Sequence, residues 1–162
     1  MQKELQFFDE GLCSAEKILL ASGRECGLFL PGRTDNWLVY DSEECQYTPA
    51  GWVVIDGCWF PLGYKVVNSS LSSLGLRKNP NIMTFPVGEW IILEDNQITV
   101  DKDDWGGIWT ARKRAGAKSL KNYCLSQYQR ETRIFLAAVL RPVYANSYRV
   151  KSQGVMLLEE LN

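Results

Sequence analysis

Short apolar runs separated by turn residues fill most of the chain, and only two segments carry a helical period. Residues 14–22 read as a short N-terminal helix, with Ser14 as N-cap and Gly23 placed to end it in a left-handed conformation. The apolar runs at 27–30 and 37–40 are strand-like and flank a Pro/Gly/Asp/Asn loop at 31–36, which predicts a first hairpin. A second is predicted where 52–55 and 58–60 flank Asp56-Gly57, because both residues tolerate the positive φ of a two-residue type I′ turn.

Residues 64–67 give another strand, 68–81 a long loop with no sustained period, and 82–85 a further short strand. The run 89–93 is expected to pair with 98–100 across the polar stretch 94–97, forming a second meander. An acidic run at 101–104 then leads through Gly106 and Gly107, where the chain bends freely, into the strand-like residues 108–111. The principal helix is predicted over about 115–129, where Ala117, Leu120, Cys124 and Tyr128 recur at three- and four-residue intervals and form one apolar stripe. After it, 134–140 is short enough for a buried strand, and 148–150 with 155–158 make a hairpin about Ser152, Gln153 and Gly154. The expected fold class is α+β: an antiparallel meandering sheet with one principal helix and the short N-terminal helix. At 162 residues the chain suits a single globular domain over 1–162 with its own core.

Composition narrows the class without naming a function. With 46% hydrophobic and 23% charged residues, the chain is neither disordered nor a fibrous repeat. Five cysteines (Cys13, Cys26, Cys45, Cys58, Cys124) show no two-residue spacing and His is absent, so the usual zinc and haem patterns are missing. No metal and no cofactor is therefore expected. Lys3, Glu4, Asp9 and Glu10 break up the opening residues and the apolar run at 18–21 is too short to span a bilayer, which points to a cytoplasmic protein without a membrane partner. Reduced thiols follow from that compartment, with pairing among the first four cysteines left open.

Charge is distributed unevenly. Ten of the 18 Lys and Arg residues lie between Trp109 and Lys151 with a single acid, Glu131, whereas the remainder holds 8 bases and 18 acids. The candidate anion-binding set is Arg112, Lys113 and Arg114 at the entry to the principal helix, Lys118 along it, and Arg133, Arg141 and Arg149 in and between the strands that follow. Lys121, Arg130 and Lys151 complete the basic segment. Trp109 and Tyr123, with Trp105 and Tyr128 nearby in sequence, are candidate stacking surfaces for a base. A structural alternative has its own mechanism: Glu94, Asp95, Asp101, Asp103 and Asp104 precede the basic segment, and the two signs pair internally if the fold lays one over the other.

Gly116-Ala117-Lys118-Ser119 lacks the Gly directly before Lys that a phosphate-binding loop requires, and Gly106-Gly107 is too little for a dinucleotide fingerprint. Without an imidazole, Ser-His-Asp and Cys-His catalysis within this polypeptide are excluded. Glu159, Glu160, Tyr64, Lys65 and Cys124 remain as candidate acid–base groups. Each also has a plain structural role: solvated tail for the Glu pair, strand filler for Tyr64, an inert core thiol for Cys124.

From Gly63 onward the chain offers a Tyr-bearing strand, a loop, a Gly-Ile-Trp-Thr strand leading into a helix, two more strands and a final strand ending in Glu. This order of elements resembles the core of ADP-ribosyltransferase-like domains. The resemblance implies that Tyr64 or Lys65 on the first strand and Thr110 on the second help hold NAD, and that Glu159 orients the acceptor. It rests on element order, since the first strand has neither Arg nor His and no Ser-Thr-Ser run is present.

The leading expectation is a binding module without turnover, presenting a basic C-terminal face to a phosphate-bearing small ligand, a nucleic acid or an acidic protein. An NAD-using ADP-ribosyltransferase-like enzyme is the second expectation. A protein-interaction or inhibitor module built on the aromatic-rich N-terminal strands is the third.

Overall fold

The computed structural model describes residues 5–9, 51–55 and 58–162. The helix expected at 14–22, the hairpin over 27–40 and the two turn residues Asp56 and Gly57 lie outside the described residues. Seven strands and one α-helix are seen among those described: β1 (Leu5–Asp9), β2 (Gly51–Ile55), β3 (Cys58–Asn68), β4 (Trp90–Ile92), β5 (Ile108–Ala111), α1 (Arg114–Tyr128), β6 (Thr132–Ala145) and β7 (Arg149–Leu161). The architecture is antiparallel sheet with one principal helix, in the α+β class, and α1 falls within one residue of its predicted span.

β3 is the hinge of the sheet. Its first half pairs with β2 from Trp52↔Pro61 to Ile55↔Cys58, a register that leaves two residues for the link. Its second half pairs with β6 from Leu62↔Ala138 to Asn68↔Thr132. On its other edge β3 meets β5 at one register position, Tyr64↔Ala111. β5 in turn pairs with β7, and β7 with β6, so β3, β6, β7 and β5 close a circuit of antiparallel pairs. Past Tyr64 the two strands β3 and β5 part, and the circuit is split there.

Side-chain alternation along β3 serves two layers. Val66 packs with Ala117 of α1 and Ile134 of β6, alongside Tyr64, Ala111 and Leu120. Val67 faces the other way, into a core of Phe85, Leu93, Ile108, Phe135, Ala137, Val155 and Leu157. Phe135 is almost wholly buried there, and burial of such a ring stabilises by about 1.5–3 kcal/mol. α1 itself buries only Ala117 and Cys124, and it ends where Gln129 takes a left-handed conformation (φ 49°) in place of a C-terminal Gly.

Three sequence expectations are corrected. The meander between 89–93 and 98–100 does not form: Trp90–Ile92 pairs with β7 instead, and Leu93 N–H donates to the Gln153 carbonyl at 2.9 Å. Its intended turn closes on itself, because the Glu94 N–H donates to Gln97 Oε1 at 2.9 Å and residues Asp95–Gln97 wind into a 3₁₀ turn. Residues 82–85 supply only the bridge Ser72↔Thr84 rather than a strand.

The third correction is the C-terminal hairpin about 152–154. Those residues run through one continuous strand, β7, and the reversal lies earlier, at Asn146, whose Oδ1 accepts the N–H groups of Tyr148 (2.9 Å) and Arg149 (3.0 Å). Gly154 is there for close packing: a Cβ on it would lie 3.1 Å from Leu140 Cδ2 and 3.2 Å from Ile92 Cγ1. β6 also extends past the predicted 134–140, through Pro142, by way of an irregularity at Arg141 (φ 51°) and a shift of register between Pro142 and Tyr144.

Candidate functional site

A cavity of about 630 Å³ opens where β3 and β5 part, a volume in the range of small-molecule sites. β3 contributes Tyr64, Lys65 and Val66, β5 contributes Ile108 to Ala111, and α1 closes one side with Gly116, Ser119, Leu120 and Tyr123. The loop after β3 adds Arg77, and the start of β7 with the turn before it adds Tyr148 and Arg149. Among the described residues the lining has three cations, Lys65, Arg77 and Arg149, and no Asp or Glu.

Lys65 marks the split itself. Its Nζ reaches across to donate to the Trp109 main-chain oxygen at 2.8 Å and lies 5.2 Å from the centroid of the Phe85 ring. Opposite it on β6 is Phe135. With carbonyl and aromatic neighbours in place of water or a carboxylate, desolvation pulls the Lys65 ammonium down to about 8. Thr110, 2% exposed, also lines the cavity, and its Oγ1 has no hydrogen-bond partner.

The seven residues expected to bind anions do not share one surface. Arg149 lines the cavity, but its guanidinium also pairs with Asp103 at 2.9 Å and lies 4.0 Å over the Trp109 ring. Arg112 donates to the Asn146 carbonyl at 2.7 Å, tying the entry of α1 to the β6–β7 turn. Arg114 donates to a main-chain oxygen of Asn162 at 2.7 Å, while Lys113 and Lys118 are exposed. On β6, Arg133 makes a two-pronged contact with Glu160 (2.9 and 2.7 Å), and Arg141 meets Gln153 Oε1 at 3.0 Å and Asp95 at 3.6 Å. Neither lines the cavity.

The acidic stretch therefore meets the basic one in space. Asp95, Asp103 and Asp104 pair with Arg141, Arg149 and Lys151. The last pair is the most buried. Lys151 has no exposed surface, and its Nζ donates to Asp104 at 2.7 Å and to the Lys102 carbonyl at 2.6 Å. Partial burial works to raise the Asp104 carboxyl, yet hydrogen bonds from Lys151 and the Gly106 N–H, with the Lys151 charge, hold it below the ordinary carboxylate range.

Of the expected stacking groups, Trp109 and Tyr123 both line the cavity. Trp109 is already engaged: Arg149 covers a ring face, Tyr144 meets it edge-on at 5.8 Å, and Nε1 donates to the Asp104 carbonyl at 2.9 Å. Tyr123 is 47% exposed and packs edge-to-face with Tyr128, and both stand at the cavity with Tyr148, 78% exposed. Cys124 is a buried thiol whose pKa is raised chiefly by desolvation. Tyr64, Lys65 and Thr110 line one cavity, whereas Glu159 and Glu160 are exposed on the far part of β7 and are not among its lining residues.

Of the charged and aromatic lining residues, Arg77 and Tyr148 are the two that sequence reading did not single out. Arg77 sits in a loop without period, where no signal exists, and its left-handed conformation (φ 52°) belongs to a 3₁₀ turn that the sequence does not announce. Tyr148 had one readable signal, the turn-forming Asn146-Ser147 just before it. Among the described residues no group of three or more His, Cys, Asp or Glu is placed to hold a metal ion, and no helix is long and apolar enough to cross a membrane. Comparison of the chain with family models, with curated proteins and with solved structures found no match.

Proposed function

We propose that this protein binds, without turning it over, a small nucleotide-like ligand in the cavity between β3 and β5, its phosphate against Lys65, Arg77 and Arg149 and its ring against tyrosine. The observation that carries this reading is a lining that, among the described residues, holds three cations, four tyrosines and no carboxylate. An anion entering there meets Lys65 and Arg77 beside Arg149, whose charge is shared with Asp103, and Thr110 Oγ1 offers a hydroxyl with no partner of its own. A concave site of this size suits a mononucleotide better than an extended strand, for which the remaining bases, spread over the surface and partly paired with acids, form no continuous track.

Tryptophan fluorescence with AMP as titrant tests the reading, since Trp105 and Trp109 line the cavity. Saturable quenching that weakens only a few-fold between about 50 and 200 mM salt is expected, against a loss of roughly a thousand-fold or more for a ligand with many phosphate contacts. No binding of AMP or inorganic phosphate at millimolar concentration contradicts it.

Tyr64, Lys65 and Thr110 also support an NAD-using, ADP-ribosyltransferase-like enzyme, because they line the same cavity. That alternative needs a carboxylate beside them, and Glu159 does not line the cavity. NAD breakdown by the pure protein, lost in Glu159→Ala, is the result that would favour it.

A further inference from the structure

We propose that Lys65 is a nucleophilic amine that condenses reversibly with the aldehyde of a phosphorylated carbonyl compound, forming an imine inside the cavity. This rests on the reading of the cavity as an anion site and adds a covalent chemistry to it. The geometry supplies the requirements. Nζ stands at the cavity, held at 2.8 Å by a neutral acceptor, the Trp109 carbonyl, and beside the apolar Phe85 ring. Such a contact uses an N–H and leaves the nitrogen lone pair of the neutral amine free.

Among the described residues, the charged groups that share the cavity, Arg77 of the loop and Arg149 of β7, are both positive, and the other titratable groups are Tyr64 of β3, Tyr123 and Tyr128 of α1 and Tyr148. On β6 the facing residue is Phe135. No lining carboxylate locks Lys65 as an ammonium, unlike Lys151 with Asp104 at 2.7 Å. Desolvation agrees with this placement by drawing Lys65 to about 8. At neutral pH roughly one such side chain in ten is the free amine, against fewer than about one in a thousand for an ordinary lysine.

In the step itself the Nζ lone pair forms a C–N bond to the aldehyde carbon while the carbonyl oxygen takes a proton from solvent and the nitrogen returns one. The carbinolamine hydroxyl then takes a second proton from solvent, the C–O bond breaks as the nitrogen lone pair closes the C=N bond, and water leaves the protonated imine. Nothing is oxidised or reduced. Arg77 and Arg149 take the phosphate of the same molecule, which sets the carbonyl near Nζ.

Pyridoxal 5′-phosphate followed by borohydride, with peptide mapping of the wild-type protein, tests the inference. At pH 7.5 the label is expected on Lys65 at least roughly tenfold above the exposed Lys113 and Lys118, with a rate that levels off above about pH 8 rather than above 10. Lys65→Arg should lose that label, because a guanidinium does not form the imine. Label spread evenly over surface lysines, or a rate still rising beyond pH 10, overturns the amine role. Two controls separate it from the binding reading. If pyridoxal without phosphate labels Lys65 equally well, the amine stands and the anion site falls. If AMP binds but Lys65 stays unlabelled, the anion site stands and the amine falls.

Discussion

Two lysines, one on each side of β5, are treated in opposite ways. Lys151 on β7 is sealed from solvent and receives a carboxylate, a backbone carbonyl and the Trp109 ring, 6.0 Å from its centroid, so that the acidic loop at 101–104 is tied down to the strand. Lys65 on β3 receives a single backbone carbonyl and an aromatic ring, and lines a cavity with no acid among its described residues. The first arrangement closes its charge balance within the molecule and is structural. The second leaves the balance open, and an open balance at a concave surface is where an outside anion gains most.

The largest expected effect comes from breaking the closed pair. Asp104→Ala strands a buried ammonium and removes the acceptor of the Gly106 N–H, and a loss of roughly 2–3 kcal/mol is expected by urea denaturation, below the full buried-pair value because the Asp104 side chain is 40% exposed. An unchanged midpoint would show that Lys151 is satisfied without it. The acid side follows the same pair. Because the folded-state carboxyl sits below its ordinary value, its contribution is complete above about pH 4 and is lost as pH falls through that lower folded value, so Asp104→Ala should flatten the acid limb of the stability curve.

Lys65→Met is expected to do the reverse. It removes an ammonium that loses hydration on folding, so stability should hold or rise by about 1 kcal/mol, while AMP affinity falls roughly tenfold or more. In the parent protein, stability should climb from about pH 8 towards 10.5, since the unfolded lysine holds its proton over that window and the folded one has released it; Lys65→Met should abolish the climb. A destabilised Lys65→Met protein with intact AMP binding would reverse the roles assigned to the two lysines. Smallest of all, Arg133→Ala breaks an exposed, solvent-screened pair with Glu160 and should barely move the thermal unfolding midpoint, with AMP affinity unchanged.

The fold was legible where a pattern maps onto one element. α1 was readable from the spacing of Ala117, Leu120 and Cys124, and the strands β5 and β6 from their apolar runs. It was illegible where tertiary pairing overrides a local signal. Gln153-Gly154 looks like a turn and is a strand interior packed against Leu140 and Ile92, and β4 prefers the distant edge of β7 to its neighbour in sequence.

The candidate site was half legible. Lys65, Thr110, Trp109 and Tyr123 are each candidates by sequence, but for different reasons, and nothing in a linear pattern says that β3 and β5 part after Tyr64↔Ala111 to bring them together. Charge segregation, the strongest linear signal, proved to be largely a fastening: Asp95, Asp103 and Asp104 find Arg141, Arg149 and Lys151 across the fold. The cation central to the cavity, Lys65, lies outside the basic segment altogether.

The most direct test is an amide-resolved NMR titration of the whole chain with AMP. Shifts clustered at Tyr64 to Val66, Ile108 to Ala111, Arg77 and Tyr148, and absent around Arg133 and Arg141, are the expected result. Shifts centred instead on the exposed face of α1 at Lys113, Arg114 and Lys118, or no saturable shift at millimolar AMP, would contradict a ligand site in the split between β3 and β5.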